Sequence, residues 1–234
     1  MVLNLKEFKR FEKQIILKKV GIAGQEKIKK AKVLIIGIGG LGCPLLTYLA
    51  SSGINNIGIV DHDKVELGNL NRQILFNTSD LGKYKVVQAK SKVIKIYKKI
   101  KIKTFKKKIS TKNINSILKD YSIICDGTDN FETRYLINDY CLRYKKILIS
   151  AAISKFDGHI FNFNFKNKNN PSLRDFYQEE VLTDEILNCE YDGVLGTVAG
   201  IVGTIQANEI LKKILNIGKD LNGFILILDL LNLN

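Results

Sequence analysis

The residues with the clearest chemical purpose lie between Ala31 and Lys85. The apolar run Lys32–Ile36 reads as a buried strand, and Gly37, Gly39 and Gly42, with Gly40 among them, set a G-x-G-x-x-G turn into a helix. Glycine is needed where the backbone turns sharply and a ligand comes close. The bare start of the helix then offers unpaired N–H groups and a positive dipole end to phosphate. Asp61 closes the next apolar run, about 20 residues on, where a ribose-binding carboxylate is expected. By itself this pattern fits many nucleotide sites. The stretch after Asp61 is unusual: Asp63, Glu66, Asn69, Asn71, Arg72 and Gln73 crowd polar groups beside the turn, which suggests chemistry on the phosphates as well as binding.

The elements that must position these groups alternate. Strands are expected at Lys32–Ile36, Ile57–Val60, Lys101–Phe105, Ser122–Cys125 and Ile147–Ser150. Helices are expected at Leu41–Ser52, Lys83–Lys98, Asn113–Leu118 and Asn130–Tyr144, with a short helical turn at Leu70–Leu75. This is the pattern of an α/β fold, a Rossmann-like and mostly parallel sheet with helices on both faces. Asp157–Phe165 alternates strictly and predicts an antiparallel C-terminal extension, followed by a helix at Thr197–Leu215 and a last strand at Phe224–Leu228. Leu5–Lys19 reads as an amphipathic helix through Phe8, Phe11, Ile15 and Ile16, and Lys166–Asn188 has no period. The 234 residues are expected to form one domain: an N-terminal helical segment to residue 30, a nucleotide-binding core from 31 to 150, and a C-terminal part from 151 to 234.

Composition bounds the function. Hydrophobic content of 45% and charged content of 26% are ordinary for a soluble chain, with no apolar run of membrane-spanning length and no signal-peptide h-region, so a cytoplasmic location is expected. The net charge of +14 invites a nucleic-acid reading, but the excess is spread-out lysine, which argues for compositional drift. In such a chain the arginines stand out: Arg10, Arg72, Arg134, Arg143 and Arg174. Cys43, Cys125, Cys141 and Cys189 form no C-x-x-C pair, which argues against a disulfide framework or a four-cysteine zinc site.

Seven stretches together resemble the ThiF/MoeB/HesA family, the bacterial relatives of ubiquitin-activating enzymes: Arg10–Leu17 (RFEKQIIL), Gly37–Gly42, Asp61–Gln73 (DHDKVELGNLNRQ), Leu81–Val86, Cys125–Arg134 (CDGTDNFETR), Ser150–Ala152 and Asn188–Lys212. The resemblance implies ATP-dependent adenylation of the C-terminal glycine of a ubiquitin-like sulfur-carrier protein ending in Gly-Gly, in thiamine or molybdopterin biosynthesis. It implies ATP and Mg²⁺ as cofactors, a homodimer, and a sulfurtransferase as a further partner. Carried over by motif, Asp61 is the ribose ligand, Asn69, Arg72 and Gln73 face the phosphates, Lys85 is a second phosphate cation, and Asp129 is the Mg²⁺ carboxylate; Asp63, Asn130 and the four glycines complete the nucleotide-contacting set. Read alone, Asp126 and Asp129 would instead cap the following helix.

Three positions depart from the pattern or stay open. Lys13 stands where the family has an arginine that reaches the partner subunit's phosphates; it keeps the charge but loses the fork. Cys189 matches a cysteine that some members use in sulfur transfer, although Glu190 and Asp192 beside it disfavour a thiolate, and a plain loop thiol is the other reading. Ser172 and Asp175 occupy positions where the family commonly has a zinc-binding C-x-x-C, and its second C-x-x-C would fall beyond Asn234, so no structural zinc is expected. Other functions on the same text are a dehydratase acting on threonylcarbamoyladenosine in tRNA, favoured by the charge but not by DGTDN, and a non-catalytic ATP-binding subunit. A nicotinamide dehydrogenase would have no use for Asp61–Gln73.

Overall fold

A computed structural model describes residues 3–167, 170–177 and 193–233. One seven-stranded sheet runs in the order β3-β2-β1-β4-β5-β6-β7. Strands β1 (Lys32–Ile36), β2 (Asn56–Val60), β3 (Lys101–Phe105), β4 (Ile123–Asp126) and β5 (Ile147–Ser154) are parallel. Strands β6 (Asp157–Asn164) and β7 (Ile225–Asp229) extend the sheet antiparallel. The expected α/β architecture and its antiparallel extension are both present.

The inner parallel strands β1, β2, β4 and β5 are apolar because both faces are covered, whereas β3, at the sheet edge, alternates Lys101, Ile102 and Lys103. Helices α3 (Gly42–Ser51), α4 (Lys85–Ile96) and the long α8 (Gly196–Leu215) pack on one face, around Val33, Ile35, Leu45, Leu49 and Ile210. Helices α5 (Ile114–Leu118) and α6 (Phe131–Arg143) cover the other, around Leu34, Ile124, Ile137 and Phe161. Strand order reverses between β1 and β4, so a crevice opens above their C-terminal ends, where ligands bind in open α/β sheets.

One further feature shapes that crevice. β4 pairs with β5 only as far as Ser150, while β5 continues to Ser154 against β6 alone. The sheet therefore splits above Asp126, and the outrunning end of β5 becomes a wall.

Several boundaries differ from expectation. The N-terminal helix α1 (Leu5–Ile15) stops short of Lys19, because the chain turns through Gly21 at φ +59° into a separate helix, α2 (Gly21–Lys30). Phe11 and Ile15 are buried, whereas Phe8 and Ile16 are exposed. The helical turn sits earlier than expected, as a 3₁₀ turn over Leu67–Asn69. α4 begins only at Lys85 because Gly82 and Lys83 are held in backbone hydrogen bonds to Val65. Between β6 and α8 lies a one-turn helix, α7 (Leu173–Phe176).

Candidate active site

The crevice holds a cavity of about 500 Å³. Gly37, Gly39, Gly40, Asp61, Asp63, Arg72, Gln73, Lys85, Asp129 and Asn130 all line it. Thus the side chains expected to act together, from four separate segments, converge on one space.

The glycine turn is built by two contacts that no side chain would allow. Gly37 has φ +90°, and a Cβ there would lie 2.8 Å from the carbonyl oxygen of Gly127, at the end of β4. A Cβ on Gly42 would run into the carbonyl oxygen of Gly37. Gly42 does not line the cavity, so its task is to bring helix and turn together, not to touch ligand. At Gly39 the space is open: a Cβ would meet only Gln73 Nε2, at 3.7 Å. That space is where a ligand fits.

Asp61 is 9% exposed and fixed from both oxygens. Oδ2 accepts the Ile38 N–H of the glycine turn at 2.8 Å, and Oδ1 accepts the Asp63 N–H at 2.8 Å. Burial raises its pKa above the ordinary aspartate value, against the pull of those two N–H groups and Lys85. Each oxygen retains acceptor capacity, which suits donation from a ribose diol. Lys85, nearly buried, donates from Nζ to Asp63 Oδ2 at 2.9 Å, so its charge is held at the cavity wall. Arg72 is steered by Gly68 O and Asn71 Oδ1, at 2.9 and 3.1 Å, leaving most of its donors unspent by those bonds. The Gln73 amide is buried in the cavity wall with no hydrogen-bond partner for Oε1 among the described residues, a polar end that a ligand would satisfy.

Asn69 is placed differently from its neighbours. It does not line the cavity; its Oδ1 accepts the Glu66 N–H and closes the 3₁₀ turn, while its carbonyl accepts from Arg72 and Gln73. It shapes the loop that delivers those two side chains. Asp129 is exposed within the cavity, touched by a long 3.4 Å bond from Asn130 Nδ2. The helix cap here is Asn130, whose Oδ1 accepts the Thr133 N–H at 2.9 Å, so neither Asp126 nor Asp129 is spent on α6. Asp126 instead lies under the cavity floor, accepting from Thr128 and from Ser150 Oγ at 2.6 Å. Ser172 and Asp175 form the capping box of α7, a use that supplies no thiolate. Lys13 is exposed on α1 and absent from this chain's cavity. Arg10 cannot take its place, because its guanidinium bonds Ile96 O at 2.5 Å and stacks over Tyr97. Cys189 lies outside the described residues.

Sequence reasoning missed the other end of the cavity. Ala152, Ser154, Asp157 and His159, from the outrunning part of β5 and from β6, line it together with Tyr177 and Val194. His159 is pushed toward its neutral form, chiefly by burial. A signal existed: the chain has only two histidines, His62 and His159, and both line this cavity.

Comparison with known proteins agrees with the geometry. The ThiF family profile matches residues 11–234, and the chain belongs to that family. A probable molybdopterin-synthase adenylyltransferase of Porphyra purpurea is 42% identical over 95% of this chain and 58% of its own length. A sulfur carrier protein adenylyltransferase of Thermus thermophilus is 36% identical over 96% of this chain and 84% of its own length. The chain thus spans little more than half of the Porphyra protein. Among solved structures, PaaA superposes with a TM-score of 0.87 at 22% identity, covering 100% of this chain and 82% of PaaA, which shows the shared fold. Among the described residues, no helix is long and apolar enough to cross a membrane.

Proposed function

We propose that this domain is a sulfur-carrier adenylyltransferase: it activates the C-terminal glycine carboxylate of a ubiquitin-like carrier with ATP. The observation that carries the reading is the single cavity into which Asp61, Arg72, Lys85 and Asp129 converge beside the glycine turn. A carboxylate oxygen of the carrier forms a bond to the α-phosphorus. The bond from that phosphorus to the bridging oxygen breaks, and its electron pair leaves with pyrophosphate. No protein nucleophile and no proton transfer are needed. The demand is for alignment and for neutralising charge on the phosphates.

Each residue has a task in that scheme. Asp61 takes the ribose hydroxyls while it holds the glycine turn. Arg72 and Lys85 balance the phosphate charge, Arg72 with a fork and Lys85 as a point charge. Asp129 has the oxygen chemistry and the uncommitted lone pairs that Mg²⁺ requires, and Asn130 flanks it. When bound, Mg²⁺ would supply charge neutralisation on the leaving pyrophosphate. The far end of the cavity, along β5 and β6, takes the carrier's C-terminal tail. The exposure of Lys13 on α1 suits a homodimer in which it reaches the partner's phosphates. Dependence on the free ATP and Mg²⁺ pool favours the cytoplasm.

The names of the relatives make a carrier of the molybdopterin-synthase type the first to test. The test is ATP–pyrophosphate exchange with purified carriers ending in Gly-Gly. Exchange that requires the carrier, and that is lost when its last glycine is removed, supports the reading. ATP binding without exchange on any such carrier would leave a non-catalytic nucleotide-binding subunit.

A further inference from the structure

Arg134 lines the cavity, yet its side chain is 8% exposed and its guanidinium bonds inward to backbone carbonyls. Nη2 donates to the carbonyl of Thr128 and, at 2.9 Å, to the carbonyl of Ala151. Nη1 lies 3.5 Å from Ser150 Oγ and 3.8 Å from Asp126 Oδ2. Asp126 closes the circuit: its Oδ1 accepts both the N–H and the hydroxyl of Thr128, at 2.9 and 2.7 Å, and its Oδ2 accepts from Ser150. Thr128 is therefore gripped at every polar group it has, the amide and hydroxyl by Asp126 and the carbonyl by Arg134. The next residue is Asp129, whose own carboxylate is held by almost nothing.

From this we infer that Arg134 is a positioning residue for the reaction proposed above: its Nη2 fixes the peptide that places Asp129 and fastens it to the strand along which the acceptor lies, while Nη1 faces Ser150 and Asp126. Thr128 belongs to the nucleotide side of the cavity and Ala151 to the acceptor side, at the point where β5 leaves β4. In-line attack needs those two sides in fixed register, and misplacement by about 1 Å costs on the order of a hundredfold in rate. A buried arginine–carboxylate pair adds little net stability over an apolar replacement, so its use here favours specificity of geometry. Lysine would keep the charge but has a single nitrogen, which could not hold both carbonyls and also face Ser150 and Asp126.

The inference rests on the reading of Asp129, and the experiment separates the two. Amide hydrogen exchange on nucleotide-free Arg134→Lys is compared with the unaltered protein. Gly127 and Thr128 amides, bonded to Ile36 O and Asp126, are expected to exchange at least about tenfold faster, with the β1 and β2 amides unchanged. In carrier-dependent exchange, kcat is expected to fall about 10- to 100-fold with KM for ATP within about threefold, and the Mg²⁺ requirement to rise. In an Asp129→Asn background, Arg134→Lys is expected to produce no further loss. Unchanged protection at Gly127 and Thr128, or an undiminished second loss in that background, overturns the inference. Full activity in Asp129→Asn alone would overturn the role of Asp129, while the exchange measurement still decides whether Arg134 holds the loop. Should Arg134→Lys fail to fold, Ser150→Ala removes one link of the circuit, and loosening confined to the same two amides is the expected result.

Discussion

Two loops line the cavity, and one aspartate of each invites comparison. The loop after β2 carries Asp61, buried, with both oxygens bonded to backbone N–H groups and its pKa raised by that burial. The loop after β4 carries Asp129, exposed, with one long contact to the residue beside it. In the first loop the side chain organises the backbone. In the second the backbone is organised by others, through Thr128, and the side chain is left uncommitted. The same functional group is thus fixed on one side and uncommitted on the other. The difference is made by where the neighbouring hydrogen bonds fall.

That contrast can be broken most directly at Asp129. Asp129→Ala is expected to lower the rate of carrier-dependent ATP–pyrophosphate exchange by about 10²- to 10³-fold. Thermal stability should stay within about 0.5 kcal/mol, because no buried partner is orphaned. Exchange kinetics beside a thermal melt would check both halves. Comparable losses of rate and stability would mean that Asp129, like Asp61, also holds the fold.

Asp61→Ala should behave in the opposite way. Two N–H groups, of Ile38 and Asp63, lose their acceptor, at a cost of about 1–3 kcal/mol if they stay dry. Nucleotide affinity is expected to fall by about 10- to 100-fold, equivalent to about 1.4–2.7 kcal/mol. Calorimetric titration with ATP and a denaturant melt on one preparation would read both. A variant that binds ATP normally would remove Asp61 from the ribose site.

The glycine turn on the Asp61 side sharpens the comparison at smaller scale. Gly42→Ala pushes a methyl group into the carbonyl of Gly37 and is expected to destabilise by about 1–3 kcal/mol. Gly39→Ala meets only a side-chain nitrogen at 3.7 Å and should leave the melt unchanged, while its methyl occupies ligand space and weakens ATP binding. One glycine serves packing and the other serves the ligand. If both variants lose stability alike, the open space at Gly39 is not a ligand site.

Sequence patterns make the glycine-turn end of the cavity legible and leave the β5–β6 end dark, for a physical reason. Gly37 to Gly42 and Asp61 to Gln73 are short, contiguous stretches whose residue types are dictated by close backbone approach and by phosphate charge. Even there, the motif groups Asn69 and Gly42 with the ligand contacts, whereas in the structure Asn69 bonds Glu66 and Gly42 packs on Gly37, because a motif gives a residue's place and not what its side chain bonds. Alternation finds β6, but nothing local reports that β5 outruns β4, and this split is what brings Ser154 and His159 to the cavity. The early end of α1 is of the same kind: the apolar spacing continues through Ile16 and Leu17, while the turn into Gly21 depends on packing of α1 on α2. Arg134 stands out as an arginine among lysines, but its three-way grip joins residues up to 17 positions apart.

A third carboxylate provides the control with the smallest effect on activity. Glu7, on α1, is 3% exposed and remote from the cavity. Burial alone would raise its pKa, but Lys29 at 2.9 Å, the Asn4 N–H and Lys99 at 3.1 Å outweigh that and hold it at about 2, against an ordinary 4.5. A folded-state pKa below the unfolded one means that the charged form favours folding. Its contribution is complete above about pH 4.5 and is lost as pH falls toward 2. The size is on the order of 3 kcal/mol, since a difference of one in pKa is worth about 1.4 kcal/mol. Glu7→Gln should therefore be less stable than the unaltered protein at pH 7, and the two should converge as pH drops through that window. Because Glu7 touches neither loop, ATP affinity at pH 7 should be unchanged. Denaturant melts from about pH 7 to about pH 2.5 test the convergence, and parallel curves would mean that Glu7 is not ionised in the folded chain. A loss of ATP affinity in Glu7→Gln would instead show that α1 is coupled to the cavity, which would undo the separation of Glu7 from the two cavity carboxylates, Asp61 and Asp129.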